Sequence, residues 1–168
     1  MDAPTMEIHQ LTKSELDEAI KLWAEHGKSH HKKADGRRAT FLQHSRNPDF
    51  FWGASEKGRL IGVLIASHDG RIGWIDRIAV EPMYVGRGIV QAMIRSAEKY
   101  LKGKNIRRFC LLVGASNLKL HQELQKSGYL IDDDLLFMYR RSKTREAKAV
   151  PGERENDSDD DNGDDGSD

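Results

Sequence analysis

From Ile72 to Ile94 the chain passes from an apolar strand pattern, "IGWIDRIAV", through "EPMYVGRG" into a helical one, "IVQAMI", with Arg87 held between Gly86 and Gly88. This stretch constrains the fold more than any other. A strand that feeds a helix and then a further strand, here "IRRFCLLVG", implies a right-handed crossover that sets the two strands, or near neighbours, parallel. Ile89, Met93, Ala97, Tyr100 and Leu101 recur at helical spacing and give the connecting helix one apolar face. The glycines have a second consequence. Without Cβ atoms they let backbone approach a ligand closely, and the helical turn beyond them offers unpaired N–H groups at the positive end of a dipole. An anion, phosphate first among them, is the natural guest, and Arg87 adds a cation to the turn. A dinucleotide fingerprint would need a third glycine and an acidic residue after the next strand, and a P-loop would need Gly-Lys-Ser/Thr; the turn has neither.

The flanking segments fill in the architecture. "MEIHQL" reads as an opening strand, and "TKSELDEAIKLWAEHG" as a helix with Thr12 at its N-cap, Glu15 completing a capping box and Gly27 ending it. A shorter helix, "ADGRRATFLQHSRNPDF", stops near Pro48. Between them runs a polar connection whose His26, His30 and His31 lack the cysteine or spaced carboxylate that would complete a metal set, so no metal is expected. Three strands follow, "FFWGAS", "LIGVLIAS" and "IGWIDRIAV", separated by the glycine-bearing turns Glu56–Arg59 and His68–Arg71, which makes them an antiparallel meander. After the crossover come a helix, "NLKLHQELQKSG", a short strand from Tyr129 and a last strand, "LLFMYRR". The expected fold is mixed α/β (α+β): a mostly antiparallel twisted sheet of about six or seven strands with a parallel central pair, flanked by about four helices.

Chain length and charge divide the molecule in two. The 168 residues suffice for one folded unit with a sizeable core. "MDAPTMEIHQ" is polar where a secretory signal would be apolar, and the longest apolar run, Leu60 to Ala66, is far too short to span a bilayer. A soluble, cytoplasmic protein without a membrane partner is expected. Cys110 is the single cysteine, which excludes an internal disulfide and fits a buried strand residue. The formal charge of zero conceals nine carboxylates against Arg154 after Pro151, so the tail carries −8 and the body +8. With almost no apolar residue the tail cannot offset its ordering entropy. The expected division is a folded domain over residues 1–142 and a disordered acidic tail over 143–168 that contacts its own basic body or simply solubilises it. The basic pairs Lys32-Lys33, Arg37-Arg38, Arg107-Arg108 and Arg140-Arg141 are scattered and lack a recognition helix or aromatic platform, so nucleic acid is not the expected partner.

The run "IDRIAVEPMYVGRGIVQAMI", followed by a strand and "NLKLHQELQKSGY", resembles the GNAT superfamily of acyl-CoA-dependent N-acetyltransferases over most of residues 6 to 141. In that family an Arg/Gln-x-x-Gly-x-Gly/Ala signature binds the coenzyme A pyrophosphate through backbone amides. Here Val85 stands at the Arg/Gln position, Gly88 at the first glycine and Val90 at the final Gly/Ala, so two of the marks are lost. The second family motif, Asn followed eleven residues later by Gly and an aromatic, is kept as Asn117, Gly128 and Tyr129.

The resemblance implies a GNAT fold whose parallel pair splays apart, and acetyl-CoA as co-substrate without a metal. Val85, Gly86, Arg87, Gly88, Ile89 and Val90 are expected at the pyrophosphate, with Asn117 also on the coenzyme. Ile78, Ala79 and Val80 are expected along the pantetheine, where an N–H near Ile78 or Ala79 stabilises the oxyanion. A primary amine, on a small molecule or a protein, attacks the thioester directly; a homodimer stays open. Simple alternation puts Trp74, Asp76, Ile78 and Val80 on one face, which makes Asp76 the candidate base, or else a partner of Arg77 or Arg71, with Glu81 in reserve. The tyrosine that serves the family as general acid is replaced by Leu124; Tyr84, Tyr129 and His121 are the substitutes on offer, or the thiolate leaves unprotonated. That departure admits a catalytically weak acyl-CoA-binding regulatory module as the alternative. Acidic Asp132, Asp133 and Asp134 would favour a cationic acceptor if they border the site.

Overall fold

The structure is a computed structural model and describes residues 6–27, 36–138 and 140. His30, His31 and the acidic tail lie outside the described residues. Two units are distinguished, one reaching Ile131 and the other beginning at Asp132.

In the first unit, β1 (Met6–Gln10) leads through a 3₁₀ turn into α1 (Leu16–His26). The Glu15 carboxylate accepts the Thr12 N–H at 2.8 Å, as the capping box requires, and Gly27 closes the helix by donating to the Trp23 carbonyl. A side chain at Gly27 would place Cβ 2.6 Å from that carbonyl oxygen, so a glycine fits the exit. Next come α2 (Arg37–Arg46), β2 (Phe51–Glu56), β3 (Arg59–His68) and β4 (Ile72–Val80). Lys57 and Gly58, both at positive φ, form the β2–β3 turn; at the β3–β4 turn the Asp69 carboxylate accepts the Arg71 and Ile72 N–H groups at 2.8 and 2.7 Å. The helix α3 (Ile89–Gly103), β5 (Arg108–Leu111) and α4 (Leu118–Lys126) complete the order.

The strands lie in the order β1-β2-β3-β4-β5; all pairs are antiparallel except β4 with β5. One face of the sheet buries Leu16, Leu22 and Trp23 of α1 against Phe51, Val63, Ile65 and Ala79. The other face buries Ile89, Met93, Ala97 and Leu101 of α3 against Ile61, Leu64, Ile75 and Val80, with Leu124 of α4 in the same cluster. No helix among the described residues is long and apolar enough to cross a membrane.

Two expectations need correction. Among the described residues the sheet has five strands rather than six or seven. Tyr129 to Met138, where two further strands were expected, form none, and Leu130 and Leu136 are 92% and 87% exposed. "LLFMYRR" has no polar alternation to fix a face, and β-propensity without a paired neighbour does not make a strand. The second correction concerns β4. Val63 pairs with Ala79 and Ile65 with Asp76, so Arg77 and Ile78 together stand opposite Leu64 in a bulge. This slip reverses the alternation. Asp76 lies across from Ile65 on the α1 side, whereas Ile78 and Val80 pack on the α3 side, so the four residues expected on one face divide between two.

Candidate functional site

Gly86 and Gly88 take φ of +83° and +79°, a region that strains any residue with a Cβ. Gly88 is the N-cap of α3, and the first intrahelical bond runs from the Ala92 N–H to the Gly88 carbonyl at 3.0 Å, so the N–H groups of Ile89, Val90 and Gln91 precede the helical ladder. No acidic residue occupies the first turn and no side chain caps it. The positive end of the helix is thus left without a counter-charge from its own turn. Added Cβ atoms define the space in front: at Gly88 nothing comes within 4 Å, and at Gly86 the nearest atom is the Lys119 ammonium at 3.7 Å.

The adjoining strand contributes an open edge. β5 pairs with β4 only across Ile72–Ile75, and Leu112 makes one more bond to the Ile75 carbonyl at 3.1 Å. Beyond that point the two strands part. Ile78, Ala79 and Val80 therefore face a groove instead of a neighbour on the β5 side, and the cavity there is continuous with the glycine turn. The bulge supports this edge. Arg77 takes φ of +49°, and Trp23 holds it twice: the indole donates to the Arg77 carbonyl, and the guanidinium stacks 4.1 Å from the indole ring.

Of the residues singled out in the sequence, the groove brings together Ile78, Ala79, Val80, Tyr84, Val85, Gly86, Gly88, Ile89, Val90 and Asn117. Arg87 is not among its lining residues; its guanidinium sits 5.1 Å over the Tyr84 ring. Asp76 and Glu81 are also absent from the lining. Asp76 is half-buried on the α1 side, and the Glu81 carboxylate, 12% exposed, is ion-paired with Arg59.

The candidate acids are already committed as hydrogen-bond donors or are apolar. Tyr84 donates to Glu56 at 2.7 Å, and that carboxylate, with burial and its charge, pushes the phenol above its ordinary range. Tyr129 donates to Glu98; burial first and this bond second push its hydroxyl far up. His121 Nε2 donates to the Gly114 carbonyl at 3.0 Å, and Leu124 is buried at 5% exposure.

The groove also contains His26 from α1, which the sequence raised only as a metal ligand, and residues that motif reading passed over: Gln91 from α3, and Lys119, Leu120 and Glu123 from α4. Gln91 Nε2 donates to Glu123 at 2.8 Å and ties the first turn of α3 to α4. Asn117 caps α4, its side-chain oxygen accepting the Leu120 N–H at 3.4 Å. A sequence signal existed for α4: with Asn117 as N-cap, Leu120 and Leu124 face the core, so Lys119 and Glu123, four apart, share a neighbouring face. Nothing local marks His26 for the groove.

Residues 8–129 match the acetyltransferase (GNAT) family. An acetyltransferase of Sodalis glossinidius is 28% identical over 136 residues, spanning 81% of this chain and 95% of the relative. Among solved structures, the PaiA N-acetyltransferase of Thermoplasma acidophilum in complex with coenzyme A superposes with a TM-score of 0.68 at 22% identity, covering 77% of this chain and 92% of that one. An aminoglycoside N-acetyltransferase, solved with the bisubstrate analogue CoA-S-monomethyl-acetylneamine, gives a TM-score of 0.67 at 18% identity over 82% of this chain and 99% of that one.

Proposed function

The chain belongs to the acetyltransferase (GNAT) family, and from that premise we propose that the groove between the glycine turn and the β4 edge binds acetyl-CoA and presents its acetyl group to a primary amine. The observation that carries this reading is an anion-ready helix end and an unpaired strand edge opening into one cavity. The N–H groups of Gly88, Ile89, Val90 and Gln91 hold the diphosphate. Val85 has no charge to offer, and Lys119, reaching in from α4, takes that part beside Gly86. Glu123 shares the lining, and its bond from Gln91 turns one oxygen toward α3. The backbone of Ile78 and Val80 receives the pantetheine amides. When bound, the coenzyme supplies an activated acyl carbonyl on a good leaving group.

An N–H at Ile78 or Ala79 donates to the carbonyl oxygen as negative charge develops there, which lowers the barrier because the bond strengthens in the transition state. The departing thiolate needs no tyrosine at Leu124, since thiols ionise within a few units of neutrality. The acceptor is an amine in keeping with the chemistry of the family; the tail after Pro151, −8 against a body of +8, competes with the coenzyme's phosphates for the basic surface.

Calorimetry with acetyl-CoA tests the proposal. A Kd in the micromolar range that weakens with salt is expected, and thiol release with spermidine, a lysine peptide or an aminoglycoside should follow. Saturating acetyl-CoA that leaves both heat and melting temperature unchanged would refute it.

A further inference from the structure

The acceptor amine must lose a proton during attack, and the two carboxylates that the sequence offers for this lie outside the groove. We infer that His26, the last residue of α1, receives it; the inference rests on the acetyltransferase reading above. His26 lines the same cavity as Ile78, Ala79 and Val80, with its side chain 25% exposed. Among the described residues it is the only imidazole in the lining. The other titratable groups there are unsuited to the task. Tyr84 donates its hydroxyl to Glu56, Lys119 as an ammonium has no lone pair, and Glu123 accepts from Gln91.

Two features of the fold set negative charge beside this imidazole. It sits in the last turn of α1, where the terminal carbonyls present negative potential, and Glu25 Oε2 lies 3.6 Å from its Nε2. Among the described residues, Glu25 on its own helix lies beside it, and Tyr84, with Lys119 and Glu123 on α4, share the groove lining; Arg77 on β4 is stacked on Trp23, one turn back along α1. Trp23 packs α1 onto the bulge that precedes Ile78, so the residue that fixes the strand edge also fixes the helix that ends at His26.

The step balances without an added reagent. An alkyl ammonium first gives one proton to solvent. The neutral nitrogen then uses its lone pair to form the C–N bond, the C–S bond breaks with its electrons going to sulfur, and the second nitrogen proton passes to the imidazole. The imidazolium returns that proton to the thiolate or to water, leaving an amide and a thiol.

The test compares His26→Gln with the unmodified full chain in acetyl-CoA calorimetry and in thiol release from pH 5.5 to 9. Acceptors are spermidine, a lysine peptide, kanamycin and hydroxylamine, the last being neutral at pH 7. The variant is expected to bind acetyl-CoA with a Kd within about twofold of the parent. Its kcat/KM with alkyl amines should fall by roughly 10² to 10⁴, the usual weight of general-base assistance. On the acid side the parent profile should steepen as imidazole and ammonium titrate together, and the variant should retain the ammonium titration alone. With hydroxylamine the loss should be under about tenfold, because less driving force is asked of the base.

An unchanged acid limb with kcat/KM within about threefold would overturn the role of His26 and leave the coenzyme reading standing. An equal loss with hydroxylamine would also overturn it, in favour of a structural effect. If the parent chain fails to bind acetyl-CoA, or binds it and turns over none of the amines, the transferase reading falls and the inference with it.

Discussion

At the level of single residues, the groove depends on two backbone positions and one distant charge. Gly88→Ala places a Cβ in open space at φ +79°, so its cost is conformational: about 1–2 kcal/mol, read as a lower Tm. The same variant should weaken acetyl-CoA, because relaxing the turn moves the amides ahead of Ile89. Lys119→Met removes the ammonium beside Gly86 and should raise the acetyl-CoA Kd about tenfold at low salt, with the gap shrinking as ionic strength rises. If Lys119→Met leaves both Kd and salt dependence unaltered, the diphosphate lies elsewhere.

Glu15 gives a pH prediction whose sign follows from its contacts. Burial pushes the carboxyl up from 4.5, but hydrogen bonds from the Thr12 backbone, the Thr12 hydroxyl and His9 outweigh it, so the net shift is downward. A carboxyl lowered in the folded state stabilises above its unfolded pKa and loses that contribution as pH falls through the folded value. The stability deficit of Glu15→Gln, measured by urea unfolding, should therefore be full at pH 7, begin to shrink as pH falls through 4.5, and close once pH passes below the lowered folded value.

Among the elements, α1 was the most legible in the sequence. Thr12, Glu15 and Gly27 mark both of its ends, and Leu16 and Trp23 lie on the face that packs. Thr12→Ala should cost about 1 kcal/mol, as capping residues generally do, with a correspondingly lower urea midpoint and an unchanged m-value. The meander and the glycine turn were equally readable, because Gly58, Gly70, Gly86 and Gly88 all occupy positive φ where the chain reverses or enters a helix. The bulge in β4 was not. Its left-handed residue is an arginine, held by Trp23 from another element, and a contact over 54 positions leaves no local signature. For the same reason the groove position of His26 stayed hidden, although the sequence raised it as a metal ligand: its place in one lining with Ile78 is set by how α1 packs on the sheet. The segment after Gly128 misled in the opposite direction, since a run of apolar residues was read as strand without a partner to pair with.

For the whole molecule, charge and ligand linkage are the measurable handles. A chain ended after Ser142 removes the acidic stretch and should bind acetyl-CoA more tightly than the full chain in dilute buffer, with the two converging above roughly 0.15 M salt, where the screening length falls to about 8 Å. Equal affinities at every salt concentration would reduce that stretch to a solubilising role. Acetyl-CoA at a hundred times its Kd should stabilise the native chain by about 2.7 kcal/mol. The slip at Arg77 also has a consequence for the length of the chain. Because the surplus residue is what sends Asp76 and Ile78 to opposite faces, deleting Arg77 would set Ile78 alone opposite Leu64, keeping Ile78 on the α3 side and Ala79 on the α1 side while removing the bulge that Trp23 holds. The segment therefore tolerates the loss of one letter at this point, and a homologue one residue shorter there would keep the register of its coenzyme groove and trade the bend for a straight strand.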